Sequence, residues 1–150
     1  MITRRTTFFG IAAIALLGTD VWAQSPSAPG PRLALKGYDP VAYFTDAKPV
    51  EGKAEFELLW DGQSYRFASA QHRDLFKASP DKYAPQFGGS CAMNMSVGQR
   101  RESDPHNWVI TNGNLYVFAG ISGKEAFSKD VAANNAKAMS NWRTMKAATQ

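Results

Sequence analysis

Soft ligands are scarce in this chain of 150 residues: there is one cysteine, Cys91, and two histidines, His72 and His106. A single cysteine closes no disulfide within its own chain. A structural zinc site takes four ligands, usually Cys or His, so a cysteine-rich zinc knuckle is excluded. Basic charge is scattered rather than striped, apart from Arg100-Arg101, and a formal net charge of +4 gives little support to nucleic-acid binding. Carboxylates paired as in hydrolases are absent. So is a phosphate-cradling glycine loop, because Gly88 and Gly89 lack the flanking strand, lysine and helix. No internal repeat stands out.

Hydrophobic residues are plentiful, at 44%. That is enough for one core, and the length suits one domain. Residues 1–23 read as an export signal. Arg4 and Arg5 supply the positive start and Phe8 to Leu17 the apolar run, and Val21-Trp22-Ala23 sets small residues at the two positions a signal peptidase reads, with cleavage expected before Gln24. The apolar run is short for a bilayer span, so no stable membrane insertion is expected after cleavage. The Arg pair leaves both the general and the twin-arginine export routes open, and the expected address is a bacterial periplasm. Loss of Arg4, Arg5 and Asp20 with that segment leaves a net charge of +3. Residues 24–34, rich in Pro, Ser and Gly, read as a flexible linker, and the folded domain is expected over 35–148.

Two hairpins organise that domain. Ala54, Phe56, Leu58 and Trp60 alternate with Glu55, Glu57, Leu59 and Asp61, the period of a half-buried strand. Asp61-Gly62 fits a two-residue turn in which both residues take positive φ. Counting outward pairs Trp60 with Gln63, Leu58 with Tyr65 and Phe56 with Phe67, and sets Glu57 against Arg66 on the other face. Asn112-Gly113 gives a second hairpin by the same logic, pairing Ile110 with Leu115, Val109 with Tyr116 and Trp108 with Val117. A helix is expected from Ser69, with Leu75 and Phe76 inward, and a short one from Pro80 through Tyr83. Ser122 and Glu125 form a capping-box pattern. Phe127, Val131, Ala138, Trp142 and Met145 share one helical face only with Asn135 on it, so a break near Asn134-Asn135 is expected. Gly37-Tyr38-Asp39-Pro40 turns into a short helix carrying Tyr43 and Phe44. The class is α+β: two β-hairpins forming a small antiparallel sheet, packed with several short helices.

Asp39-Pro40-Val41, the hairpin Trp60-Asp61-Gly62 to Tyr65-Arg66-Phe67-Ala68-Ser69, Phe76, Ser79-Pro80-Asp81-Lys82-Tyr83, Gly88-Gly89-Ser90-Cys91-Ala92 and Asn141-Trp142 together resemble the YHS domain family. The resemblance is to its exported, stand-alone branch, over residues 35 to 143. It implies a metal-binding module. In the metal-binding branch one cysteine follows Asp-Pro-Val, and two more flank the start of the helix after the hairpin. Those positions here are Ala42, Ala68 and His72, so two ligands are missing and the third is an imidazole.

Other residues therefore have to supply any metal affinity. Cys91, Met93 and Met95 place a thiol and two thioethers within five residues, and soft donors of this kind prefer Cu(I). Alternate positions converge on one face if the segment is extended, and His72 and His106 are the available imidazoles. Competing readings of Cys91 stay open: a small buried hydrophobe with the methionines as core filler, a nucleophile activated by His72 or His106, or an intermolecular disulfide. Tyr38-Asp39-Pro40 and Trp108 are either plain core or the lining of a small-ligand cleft beside Cys91. The sequence thus points to an exported, non-enzymatic binding module with copper as its leading ligand. A metal-free structural or protein-interaction module and a thiol-dependent enzyme or redox protein are the alternatives.

Overall fold

The computed structural model describes residues 30–148. The expected export signal and most of the expected linker lie outside them. Strand β1 (Arg32–Leu33) pairs parallel with β3 (Gln63–Phe67), and Ala34 is fully buried.

The chain is α+β, in the order β1, α1 (Ala42–Thr45), β2 (Lys53–Trp60), β3 (Gln63–Phe67), α2 (Ala70–Ala78), α3 (Pro80–Tyr83), α4 (Ala92–Ser96), β4 (Asp104–Thr111), β5 (Asn114–Phe118), α5 (Ile121–Ser128) and α6 (Val131–Ala147). The two hairpins do not share one sheet, as the sequence had suggested. Strands β1, β3 and β2 make a three-stranded sheet, and β4 and β5 a separate two-stranded one.

Both turns take the expected form. Asp61 and Gly62 have φ of 46° and 73°, and Asn112 and Gly113 have 51° and 77°. Positive φ at both central residues matches the twist of the flanking strands, and Asx-Gly tolerates it best. The second hairpin pairs as counted, and the first does so from Trp60 back to Glu57. There an irregularity between Lys53 and Glu57 interrupts the ladder and sets Lys53, not Phe56, opposite Phe67. Extra residues on one strand are the usual origin of such a shift, and alternation alone does not reveal them.

The second half of the chain repeats the first, which the sequence had not disclosed. The ladder Lys53–Phe67, Glu57–Arg66, Leu58–Tyr65, Leu59–Ser64, Trp60–Gln63 has its counterpart in Asp104–Phe118, Trp108–Val117, Val109–Tyr116, Ile110–Leu115, Thr111–Asn114, with the irregularity at the same place. The parallel pairing of Leu33 with Ser64 is matched by that of Pro85 with Leu115, and the bridge Tyr38–Glu51 by Ser90–Glu102. A left-handed turn precedes each short helix, at Leu35-Lys36-Gly37 and at Phe87-Gly88-Gly89. After each hairpin a helix drops one phenylalanine onto it. Phe76 meets Tyr65 and Phe67, and Phe127 meets Tyr116 and Phe118, with ring centroids 4.9 to 5.4 Å apart. Each half thus has its own aromatic core, and a third cluster of Leu35, Tyr43, Leu115 and Val117 draws on both and joins them.

Three local expectations change. Leu75 is exposed on α2, because placing Phe76 on the hairpins swings its neighbour about 100° around the helix. Helix α5 begins at Ile121, one residue before Ser122, so Gly120 takes the cap position and no capping box forms. The helical break falls at Lys129-Asp130. Asp130 Oδ1 accepts from Ala133 N at 2.9 Å and opens α6, while Asn134 Nδ2 donates back to Phe127 O at 3.1 Å. Helix α6 then runs unbroken through Asn135. Near its far end, Asn141 Nδ2 donates to Met95 O at 2.9 Å and satisfies the carbonyl end of α4.

Candidate functional site

Asp39 is the hub of the first half. It is fully buried, and both carboxylate oxygens are occupied. Oδ1 accepts from Val41 N at 2.8 Å and Ala42 N at 3.4 Å, which ties down the start of α1. Oδ2 accepts from Ala68 N at 2.8 Å and lies 2.6 Å from His72 Nδ1. A carboxylate only accepts, so Nδ1 carries the shared proton and Nε2 is the outer nitrogen, 3.5 Å from Thr45 Oγ1. His72 reaches Asp39 because Ser69 caps α2: Ser69 Oγ accepts from His72 N at 3.2 Å and fixes the first turn. Ala42, Ala68 and His72, far apart in sequence, therefore meet on one buried carboxylate.

His106 is exposed and lies on β4 of the second half, where it meets Tyr38 of the first. Its Nε2 is 3.4 Å from Tyr38 Oη, and the two rings meet edge-on at 5.5 Å. Asp104 Oδ1 accepts from His106 N at 3.0 Å. Tyr43, next to this group, is sealed beneath it and donates to Pro105 O at 2.9 Å. Burial pushes its phenol well above the usual tyrosine range.

Cys91 belongs to the other half. It is 1% exposed and packed with Phe87, Met95, Tyr116, Phe118, Phe127 and Ala138. The segment after it is helical, not extended, so the expectation that the three sulfurs converge is corrected: residues 92–96 form α4 and successive side chains fan round its axis. Met95 is fully buried, and Met93 is half-buried beside Ser96, whose Oγ lies 3.8 Å from its sulfur. The two imidazoles are held by Asp39 and Tyr38 rather than by Cys91. Trp108 packs edge-on against Tyr43 at 5.2 Å and is not among the residues lining the cleft beside Cys91. Among the described residues no group of three or more His, Cys, Asp and Glu side chains is placed to hold a metal ion. At the positions where the resemblance implies thiolates, Ala42 and Ala68 offer no donor, so that ligand set does not fit a metal.

The repeat explains what surrounds Cys91. Asp39 N donates to Val50 O at 2.8 Å, and Cys91 N donates to Arg101 O at 2.9 Å in the same place. Cys91 thus stands where Asp39 stands, Ala119 where Ala68 stands, and Gly123 where His72 stands. Gly123 has no side chain, and a Cβ there would lie 3.9 Å from Cys91 Sγ. A cleft of about 160 Å³ remains, bordered by Cys91, Asn94, Arg101, Ala119, Ser122 and Gly123. It is the position filled by an imidazole in the first half.

Sequence reasoning missed Asp39 as a hub, although Asp-Pro ahead of a short helix is a capping pattern that could have found it. Compared with family models, curated proteins and solved structures, the chain matches none. No helix among the described residues is long and apolar enough to cross a membrane.

Proposed function

We propose that this chain is an exported, non-enzymatic binding module of the YHS type that works without a metal at the family's ligand position. One observation carries the reading: Ala42, Ala68 and His72, the three positions that the resemblance singles out, converge on Asp39. Where thiolates would need a cation to join these segments, the Asp39 carboxylate joins them by accepting two backbone N–H groups and an imidazole N–H. Groups held this way are structural. Asp39 is buried with its oxygens taken, and Thr45 Oγ1 donates to Val41 O at 3.2 Å rather than standing free as a nucleophile. Export is supported by Arg4-Arg5, the apolar run to Leu17 and Val21-Trp22-Ala23. The copper reading needs donors around Cys91, and the helical course of residues 92–96 turns Met93 and Met95 apart.

The test is unfolding of the mature protein after chelator treatment, with and without added Cu(I) or Zn²⁺, for the wild type, His72→Gly and Cys91→Ala. The expected result is a midpoint indifferent to chelator and metal. Loss of the imidazole should cost about 2–3 kcal/mol, the scale of a hydrogen bond to a buried charged group. Stoichiometric metal that raises the wild-type midpoint and is lost in either variant would overturn the reading.

A further inference from the structure

The seam between the halves holds a cleft of about 210 Å³, lined by Arg32, Asp61, Gln63, Arg100, Trp142 and Lys146. Among the described residues, three cations and one carboxylate line it, and Glu102 is near enough to act on Arg32. Lys146 Nζ is 2.9 and 2.7 Å from the two oxygens of Asp61. The ring of Trp142 carries the Arg100 guanidinium at 5.4 Å and the Lys146 ammonium at 5.9 Å. Arg32 is half-buried and donates to Gly88 O at 3.2 Å. Burial, and then the positive charge of Arg100, hold its guanidinium below the usual arginine range, with Glu102 opposing them in part. Among the described residues positive charge is thus in excess here, in partly desolvated surroundings where an anion gains most.

A second observation is independent of charge. Gln63 is 6% exposed, and its Oε1 has no hydrogen-bond partner among the described residues. A buried acceptor without a donor costs roughly 1–3 kcal/mol, so a native structure keeps one for a reason. The amide sits against Gly88: a Cβ at that residue would lie 2.3 Å from Gln63 Nε2, and its absence makes the room. Among the described residues the cleft therefore offers an excess of cations, an aromatic wall and an acceptor without a hydrogen-bond donor.

We infer that this cleft binds a small oxyanion that keeps an O–H group, either hydrogen phosphate or a hydroxycarboxylate. The cations take the charge, and Gln63 Oε1 accepts a hydrogen bond from the hydroxyl. This deepens the binding-module reading by naming its ligand chemistry.

The test is an NMR titration of chelator-treated mature protein near neutral pH and at low salt. The probes are inorganic phosphate against sulfate, and L-malate against succinate; the first of each pair keeps an O–H and the second does not. The Trp142 indole N–H and the Gln63 side-chain amide should shift saturably with phosphate or malate. The hydroxyl-bearing member should bind about tenfold tighter than its partner, since a site built around a hydroxyl leaves its acceptor unpaired with the other. Which pair shows the preference identifies the source. Arg100→Gln, at an exposed residue, should weaken binding about fivefold or more. Gln63→Met should keep binding and abolish the preference. No saturable shift by about 10 mM, a Kd near the weakest useful range, would overturn the proposal. So would equal binding within both pairs, or unchanged binding in Arg100→Gln. A metal requirement, which would sink the broader reading, shows in the unfolding assay and leaves this titration unaffected.

Discussion

The first half of the molecule closes the corner between its short helix and its hairpin with an acid and an imidazole, and the second half leaves the same corner with a thiol and a glycine. The scaffolding around the two corners is alike: left-handed turn, short helix, interrupted hairpin, helix with one inward phenylalanine. What differs is how each is finished. In the first half Asp39 accepts four N–H groups, and His72 fills the space beside it. In the second half Cys91 needs no such partners, Gly123 leaves a cleft, and the role of a tie passes to α6, whose Asn141 holds the end of α4. Helix α3, the counterpart of α6, stops after four residues. The comparison teaches that the backbone of this unit does not depend on the polar hub. An aromatic core on a hairpin builds it, and the corner is free to be a hydrogen-bonded acid and imidazole or a void.

The largest test of that claim concerns the aromatic cores. Phe76→Ala and Phe127→Ala should each cost about 3–5 kcal/mol, the range for emptying a buried phenylalanine site. The two losses should be similar, because both rings are fully buried against a tyrosine and a phenylalanine of their own hairpin. Urea unfolding followed by fluorescence and by circular dichroism checks it. Both probes should report one transition, since Leu35 and Tyr43 from one half pack with Leu115 and Val117 from the other. Separate transitions, or a loss below about 1 kcal/mol in one variant, would break the equivalence of the halves.

A smaller effect comes from making the second corner like the first. Gly123→His places an imidazole where the cleft now is. The new Cβ meets only ordinary contacts, 3.6 Å from Met93 Cβ and 3.9 Å from Cys91 Sγ. Stability should stay within about 1 kcal/mol, as a helical glycine gains propensity on substitution. Alkylation of Cys91 by iodoacetamide should speed up several-fold, because an imidazole beside a thiol raises its thiolate fraction. An unchanged rate in a folded variant would mean that Gly123 does not look onto Cys91 as His72 looks onto Asp39.

The legibility of the two halves in sequence was uneven. Asp61-Gly62 and Asn112-Gly113 announced both turns, and counting from them placed Tyr65 and Tyr116 correctly, because a turn with two positive-φ residues admits one register. The irregularity before Glu57 and Trp108 was invisible, since residues that loop out of a ladder carry no period of their own. The repeat escaped notice for a related reason. What it preserves is a few matched residues, Gly62 with Gly113, Tyr65 with Tyr116, Phe67 with Phe118 and Phe76 with Phe127, spread among unlike neighbours, while the intervals ahead of the hairpins differ by one. The candidate site was legible only as residue types. His72 and Cys91 stood out as residue types, but nothing in their spacing says that each sits in its own copy of one corner. Gln63 and Trp142 gave no chemical sign at all, because an amide becomes notable only when burial leaves it without a donor.

The finest comparison is between the two hairpin tyrosines. Burial raises the phenol of Tyr65 well above its ordinary range, with the Asp61 carboxylate adding to the effect. Burial raises Tyr116 as well, but a hydrogen bond with the Asn114 side chain pulls it back. In both cases the folded state holds the phenolic proton more tightly than the unfolded chain, whose tyrosines ionise near pH ~10. Their contribution to stability is therefore complete below about pH 10 and is lost as pH climbs above it, because the unfolded chain releases protons that the folded one keeps. Ultraviolet titration and alkaline unfolding of Tyr65→Phe and Tyr116→Phe should separate them. Tyr65→Phe should flatten the alkaline slope of stability more than Tyr116→Phe, and Tyr116 should ionise first in the folded protein. The reverse order would mean that the Asn114 contact does not offset burial, and that the two hairpin faces are sealed to the same degree.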